Sequence, residues 1–425
     1  CRGGYGGTLG VGRQLVRQVK ISILALYLCL LTGCEHIGFY NQAVTGHLGI
    51  MLGSQPVSEL LNDPKTPDPL RQQLILTQKI LQHAETQLLL DADGKYQRYV
   101  QLQGDYVVWN VFAAKPLDLH GETWCYPVAG CAPYRGYYAQ EDALAFADKY
   151  QHMGFETYVG GVSAYSTLGW FNDPLLSSFI DYQPLSLAQL LFHELAHSKV
   201  WVSGSTAFNE SFASFVGRQG AWEWSQSAGA VESDAYANWL EQQAQWQIFK
   251  AFALQAKADL EKIYAGGASQ EENTAQILAQ RQKYLAQIES CYQKNRAALG
   301  GGRYDNLMSN RFNNAFLVSL GTYEDFFPAF AQLFRQVQQD WSEFYNQVAA
   351  LAELSETERA FKLAQLVQAG SAIDAEFSKG SGRHLSEQSG EYSDDRSGEQ
   401  KIAAQANNNH AEEVHCDAFT NHSLN

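Results

Sequence analysis

The residues best suited to chemistry stand in the segment Leu191-Phe-His-Glu-Leu-Ala-His197, where two histidines lie four residues apart. If this segment is helical, His193 and His197 lie one turn apart on the same face and can hold one metal ion, with Glu194 beside it. Zinc held by two imidazoles and one further ligand keeps a fourth position open for water. That water loses its proton near neutral pH, and a carboxylate such as Glu194 can accept it. The spacing therefore indicates a hydrolytic Zn2+ site.

The sequence around the two histidines is typical of a buried helix. Ser186 is a candidate N-cap after Pro184. Apolar residues surround the segment on nearly every side, namely Leu187, Leu190, Leu191, Leu195 and Ala196. Two histidines and a glutamate in such a helix are either satisfied core groups or metal ligands. Since chance alone produces a His-Glu-x-x-His string in about one chain of this length in a hundred, the motif favours zinc.

A third ligand is predicted in the next helical segment, which follows a turn containing Gly204. Glu210 stands on one face of this segment, apart from an apolar stripe that recurs at helical spacing. The other residues of the Glu210 face are small, namely Ala213, Ser214 and Gly217, whereas the stripe is Phe208, Phe212, Phe215 and Val216. A small-residue face indicates close packing on the neighbouring helix, and a short turn allows an antiparallel pair. Glu210 is the predicted ligand, with a solvated helix residue as the alternative.

Several blocks of the chain together resemble a bacterial family described as putative aminopeptidases. These blocks span about residues 34 to 350 and are Trp124 to Cys131, Pro133 to Gly136, Tyr158 to Val162, Ala164 to Leu176, the two metal helices, Asn313 to Ala315, and Thr322 with Tyr323. The motif His193-Glu-Leu-Ala-His197 followed by Phe208-Asn-Glu-Ser-Phe-Ala213 is similar to the pattern of gluzincin zinc peptidases. The resemblance implies a zinc peptidase that acts on a peptide substrate.

The resemblance also implies a substrate cleft along an edge strand, which pairs with extended peptide. The segment Gly161 to Gly169 is the candidate, and Tyr165 within it could donate to the developing oxyanion. Packing or a carbonyl hydrogen bond is the alternative for Tyr165. Tyr323 is a second candidate donor, with a core tyrosine as its alternative. Asn209 is a candidate contact for the substrate amine or a support for Glu210, but no acidic group for that amine is identifiable from the sequence.

The order of the predicted elements favours an α+β, mainly α-helical fold with a small sheet before the metal-binding helices, as in zincin-like peptidases. Strands are predicted at Tyr106 to Ala113 and Phe155 to Val159. Helices are predicted at Pro69 to Asp91 and Glu141 to His152. Further along the chain, residues 233–295 contain two long helical stretches, rich in Gln and Ala, that indicate a projecting helical hairpin.

The N-terminal segment has the pattern of a secretory signal. Arg13, Arg17 and Lys20 precede an apolar run from Ile21 to Leu31, which is too short to span a bilayer as a mature helix. The run ends in Leu31-Thr-Gly-Cys34, which resembles the lipoprotein cleavage box. This resemblance implies removal of residues 1–33 and a lipid on Cys34, which would anchor the protein to a membrane in the cell envelope, facing the periplasm. The alternative is an ordinary core helix with an incidental cysteine.

Cys125 and Cys131 stand six residues apart around Pro127 and Gly130, in a setting typical of a turn. A short disulfide loop is feasible there in an oxidising compartment. The alternative is a pair of buried free thiols. A structural zinc site would require a second cysteine pair, and none accompanies these two residues.

Composition sets the remaining limits. A formal net charge of -15 argues against nucleic acid as a partner. The motifs favour one peptidase domain, residues 34–370, that includes the helical hairpin. Residues 371–425 are rich in Ser, Gly, Glu and Asn, which predicts a disordered polar tail.

The sequence as a whole predicts a membrane-tethered zinc peptidase, an aminopeptidase by the resemblance, with one Zn2+ per chain. Glu194 is the predicted general base. Two alternatives remain at this point. One is an endopeptidase or another cell-envelope hydrolase with the same site, and the other is a lipoprotein scaffold with a structural metal.

Overall fold

The computed structural model describes residues 38–126, 130–164, 172–227, 233–265, 271–320, 326–381 and 416. The chain divides into two compact units, Cys1–Gly53 and Ser54–Asn425. The described part of the first unit is one helix, α1, residues 38–53. Cys34 and the predicted signal segment lie outside the described residues. Within the described parts of the chain, no helix combines the length and the apolarity needed to span a bilayer.

The described residues of the second unit form three small sheets. Strands β1 (Gln55–Pro56), β2 (Arg98–Val100) and β8 (Leu175–Leu176) form one sheet in the order β1-β2-β8. Strands β6 (Arg135–Tyr137), β3 (Val108–Ala114) and β7 (Glu156–Val162) form an antiparallel sheet in the order β6-β3-β7. Strands β4 (Trp124–Tyr126) and β5 (Gly130–Ala132) form a separate antiparallel pair.

The rest of the second unit is mainly helical. Its helices are α2 (Val57–Asn62), α3 (Asp68–Thr86), α4 (Gln140–His152), α5 (Pro184–His197), α6 (Thr206–Gln226), α7 (Ser233–Ala265), α8 (Glu271–Lys294), α9 (Asp305–Asn310), α10 (Asn314–Leu320), α11 (Phe327–Gln336), α12 (Trp341–Ala352) and α13 (Glu356–Ser381). Every described strand precedes α5. The prediction of a mainly helical fold with small sheets is therefore confirmed.

Helices cover both faces of the β6-β3-β7 sheet. Successive side chains of each strand point to opposite faces, so each strand contributes side chains to both contacts. Phe112 and Ala114 of β3 pack against Ala315 and Val318 of α10. On the opposite face α4 packs against β3 and β7, and Arg135 of β6 lies over the Phe146 ring of α4. The predicted strands thus correspond to β3 and β7, which form the centre and one edge of this sheet.

Helix α6 lies at the centre of the helical part. Its phenylalanines, predicted as one apolar stripe, contact aromatic rings of α11 and α12. Phe212, for example, lies 5.7 Å from Phe330 and 6.1 Å from Phe344, ring centroid to ring centroid. Helix α3 ends at Thr86, whereas the sequence predicts a helix to Asp91. Leu89 within the predicted range has a φ of 54°, which an α-helix does not contain.

The helical hairpin packs onto the domain instead of projecting from it. Phe249 of α7 and Tyr284 of α8 belong to one buried cluster with Leu317 of α10. Arg281 of α8 also forms an ion pair with Glu156 of β7. The few large apolar residues among the Gln and Ala positions are therefore enough to bury one side of each helix.

Two observations concern the predicted tail. Helix α13 continues to Ser381, past residue 371, where the polar tail is predicted to begin. Cys416 forms a disulfide with Cys291 of α8, a residue 125 positions away. No local sequence signal joins cysteines so far apart, so this crosslink is not predictable from spacing.

Candidate metal centre

The two metal helices, α5 and α6, pack closely along the chain segments that carry the candidate ligands. Helix α5 begins at Pro184, two residues before the predicted Ser186 cap, because the fixed φ of proline suits the first helical position. Gly217 of α6 allows the close approach. A Cβ atom there would lie 2.7 Å from the Gln189 carbonyl oxygen and 3.2 Å from the Cβ of His193.

This packing brings three donor groups together. The Nε2 atoms of His193 and His197 lie 3.2 Å apart. The carboxylate of Glu210 lies 3.4 Å from the first of these atoms and 3.9 Å from the second. One ligand atom from each residue lies within 4.8 Å of the others. Donors of a tetrahedral zinc ion, with bonds of about 2.0–2.1 Å, are separated by about 3.3 Å, so the three residues fit a metal ion.

The neutral state of the His197 imidazole also suits a metal ligand. Burial lowers the pKa of His197 to about 4, although the charge of Glu210 acts in the opposite direction. At neutral pH the imidazole is therefore neutral, as a metal ligand must be. The centre is also partly open, since the side chains of His193 and Glu210 are 20% and 14% exposed.

Glu194 lies beside these donors, and the charges of His193, Glu210 and Asp173 act on it. Its residue exposure is 9%. Burial raises the pKa of Glu194 to about 7, His193 acts to lower it, and the carboxylates of Glu210 and Asp173 raise it. A carboxyl with a pKa near 7 can both accept and return a proton at neutral pH.

Tyr134 approaches the centre from the loop between β5 and β6. Burial, together with the negative charges of Glu210 and Glu194, raises the pKa of the Tyr134 phenol to about 12. The hydroxyl is therefore protonated at neutral pH and available as a hydrogen-bond donor. Sequence reasoning quoted the block Pro133 to Gly136 but assigned no role to Tyr134, since no spacing ties this loop to the metal helices.

Two further residues near Glu194, Tyr96 and Asp173, are not predicted from the sequence as part of the site. Burial raises the pKa of Tyr96 well above its usual value, with smaller contributions from the charges of Glu194 and Asp173. Asp173 is 5% exposed, and its backbone oxygen accepts a hydrogen bond of 2.7 Å from the Tyr96 nitrogen. The structure thus adds an acidic residue to the surroundings of Glu194.

Asn209, which precedes Glu210 in the chain, forms two hydrogen bonds with the turn between α5 and α6. Its side-chain oxygen accepts a hydrogen bond from the nitrogen of Val202, and its side-chain nitrogen donates to the oxygen of the same residue, each at 2.8 Å. Asn209 is fully buried. This geometry favours the supporting role, in which Asn209 holds the turn between the metal helices, over a contact with the substrate amine.

The pair of strands β4 and β5 lies against that same turn. Cys125 and Cys131 form a disulfide that joins the two strands, and we call the pair the disulfide hairpin (residues 124–126 and 130–132). A Cβ atom at Gly130 would lie 3.4 Å from the nitrogen of Gly204. The Tyr126 hydroxyl donates to the backbone oxygen of Tyr134 at 3.2 Å. The disulfide hairpin therefore connects the turn between the metal helices to the loop that carries Tyr134.

The remaining predicted residues lie outside the described part of the chain. Tyr165 and Tyr323 fall within residues 165–171 and 321–325. Of the predicted substrate segment, Gly161 and Val162 belong to β7, and the description extends to Ala164. The roles assigned to these tyrosines remain predictions.

Comparisons with known proteins identify the family of the chain. No curated protein and no solved structure matches the chain significantly. One family model does match, over residues 38–363, and its description is "Putative aminopeptidase". The match covers more than half of the chain and contains α5, α6 and the three candidate ligands. The chain belongs to the putative aminopeptidase family.

Proposed function

We propose that this protein is a zinc-dependent aminopeptidase with a gluzincin-like site, in which His193, His197 and Glu210 hold the ion. The observation that carries the proposal is the convergence of three donor atoms next to the buried Glu194. Two imidazoles and one carboxylate are a donor set typical of catalytic zinc. When bound, the ion supplies a Lewis acid for the peptide carbonyl and lowers the pKa of water.

The residues of the chain have separate tasks in this proposal. Glu194 accepts a proton from the attacking water and then gives it to the leaving amine. Tyr134 donates a hydrogen bond to the oxygen of the former carbonyl, where negative charge develops. The partial exposure of His193 and Glu210 gives the substrate access to this centre.

The specificity for free N-termini needs a group that holds the substrate ammonium. We assign this task to Asp173, which is buried about as deeply as Glu194 and whose charge is felt by that residue. An ammonium beside two buried carboxylates is favourable because it offsets their mutual repulsion. Asp173→Asn should raise KM for peptides with free N-termini, with little effect on the metal content.

Matched peptides test the assignment as an aminopeptidase. Pairs that differ only in N-terminal acetylation are incubated with the purified protein, and products are identified by mass spectrometry. Cleavage of the first bond, only in the free peptides, is the expected result. Cleavage of both members of each pair would assign an endopeptidase, and no cleavage with the metal in place would favour a structural metal.

We also propose that a lipid on Cys34 anchors the protein in the cell envelope. The basic and apolar pattern before Cys34 supports this, as does the disulfide hairpin, since disulfides persist in oxidising compartments. Expression with Cys34→Ser, beside the unchanged sequence, should move the protein from the membrane fraction to the soluble fraction. Retention of that variant in the membrane fraction would rule out the lipid anchor.

A further inference from the structure

A cavity lies between the β6-β3-β7 sheet and the helices α7, α9 and α10, with a volume of about 490 Å3. We call it the sheet–helix pocket. Phe112 and Tyr158 of the sheet form one wall. Phe249 of α7 and Tyr304 form the opposite wall, and their rings are stacked with centroids 3.7 Å apart. A cavity of this size with aromatic walls suits a small organic molecule or the end of a peptide.

The charged residues of the lining are all cationic. Lys250, Arg303 and Arg311 line the pocket, and none of its described lining residues is acidic. The chain as a whole has 45 acidic and 30 basic residues, so this excess of positive charge is local. Lys250 is only 8% exposed, which strengthens its interaction with an anion that enters the pocket.

Arg311 is held in a fixed orientation at the pocket. Its Nη1 donates to the backbone oxygen of Val159 at 3.2 Å, and its guanidinium lies 5.3 Å from the centroid of the Tyr158 ring. A guanidinium has five donors in a planar fork, so these contacts leave N–H groups for a ligand. Such a fork matches the two oxygens of a carboxylate.

We propose that the sheet–helix pocket binds a carboxylate attached to an aromatic or aliphatic body. Lys250 and Arg311 contact the carboxylate, while the rings of Phe112 and Phe249 contact the apolar body. Two sources have this chemistry, a separate organic acid and the C-terminal end of a peptide substrate. The peptide source rests on the proposed peptidase function, but binding in the pocket does not.

The position of the pocket makes the peptide source reasonable. Phe112 lines the pocket, and its ring also lies 5.6 Å from the ring of Tyr134, centroid to centroid. Tyr134 in turn is close enough to Glu194 and Glu210 for their charges to act on it. Tyr134 therefore contacts a residue that lines the pocket and also lies within range of the charges of the candidate metal centre.

Binding is tested with a ligand pair that differs only in charge. N-acetyl-phenylalanine and N-acetyl-phenylalaninamide are titrated into the zinc-loaded protein by calorimetry. The acid should bind at least tenfold more tightly than the amide. Lys250→Met and Arg311→Gln should each weaken binding of the acid at least tenfold and leave the amide unchanged. Arg311 is exposed, so the Arg311→Gln variant should fold even if the Lys250→Met variant is unfolded.

Equal affinity for acid and amide would overturn the proposal, and so would an unchanged affinity for the acid in both variants. The second result would mean that the acid binds elsewhere, for example at the metal. A kinetic comparison then identifies the source. If the carboxylate is that of the substrate, peptides with amidated C-termini have a higher KM in the wild type but not in Arg311→Gln. An unchanged KM with intact binding identifies a separate acid.

Discussion

Glu194 combines two properties of a general base, a buried position beside the metal donors and a pKa near 7. Glutamine has nearly the same size but cannot accept the proton. Glu194→Gln should therefore keep the metal and lower kcat on the order of two to four decades. Steady-state kinetics measures kcat, and metal analysis of the same sample measures the metal content. Glu223→Gln changes a half-buried glutamate of α6 whose pKa is also raised by burial, and it is the matched control.

An undiminished kcat in Glu194→Gln would remove this residue from the reaction. A loss of metal in the same variant would instead show that Glu194 is a ligand.

The charges of Glu210 and Glu194 both act on the phenol of Tyr134. Loss of a single donor to a developing oxyanion lowers the rate by about 100-fold or more in well-studied enzymes. Tyr134→Phe should show a decrease of about 100-fold in kcat with little change in KM or metal content. Tyr150→Phe, which removes a hydroxyl bonded to Trp124, is the control. If KM rises and kcat is constant, Tyr134 contacts the substrate without acting on the oxyanion.

The separation of α5 from α6 depends on Gly217. A side chain there must displace the Gln189 carbonyl or His193, and overpacking of this kind costs about 1–3 kcal/mol. Gly217→Ala should lower both the melting temperature and the affinity for zinc, because the displaced His193 is one of the proposed ligands. Gly104→Ala, where a Cβ meets nothing within 4 Å, should change neither. A variant at Gly217 with normal zinc affinity would show that the helix spacing is not what orders the ligands.

The disulfide hairpin links the turn between the metal helices to Tyr134. Cys125→Ser with Cys131→Ser removes a short closed loop, which costs about 2 kcal/mol. We expect kcat to fall by about tenfold, since small displacements of positioned groups are costly, while zinc affinity changes little. Cys291→Ser with Cys416→Ser removes the other disulfide and should leave kcat unchanged. Equal losses of kcat in both double variants would indicate general destabilisation.

Periodicity explains which parts of this site the sequence can predict. His193, His197 and Glu210 lie on two adjacent helices, where spacings of three and four residues and a short turn determine which side chains meet. Tyr134 and Asp173 belong to loops. Loop positions depend on distant contacts, such as that of Gly130 with the turn at Gly204, and these leave no periodic signal.

At the scale of the whole molecule, the helical hairpin is part of the unit that carries the candidate metal centre. Arg281 bonds Glu156 of β7, and Tyr264 donates to Asn314 of α10 at 2.9 Å. Asn314 is fully buried, and its side-chain nitrogen donates to the backbone oxygens of Lys115, Pro116 and Asp118. This network is not predictable from composition, since a sequence rich in Gln and Ala is equally compatible with a hairpin that projects into solvent.

The central claim is that His193, His197 and Glu210 hold one zinc ion, and metal analysis of the purified protein tests it most directly. We predict about one zinc per chain in the wild type and in His152→Ala, an exposed histidine of α4. Alanine at any of the three ligand positions should weaken zinc binding more than about 100-fold, since even loss of a residue that only supports a ligand costs 10- to 100-fold. Full zinc occupancy in all three variants, or no zinc in the wild type, would contradict the claim.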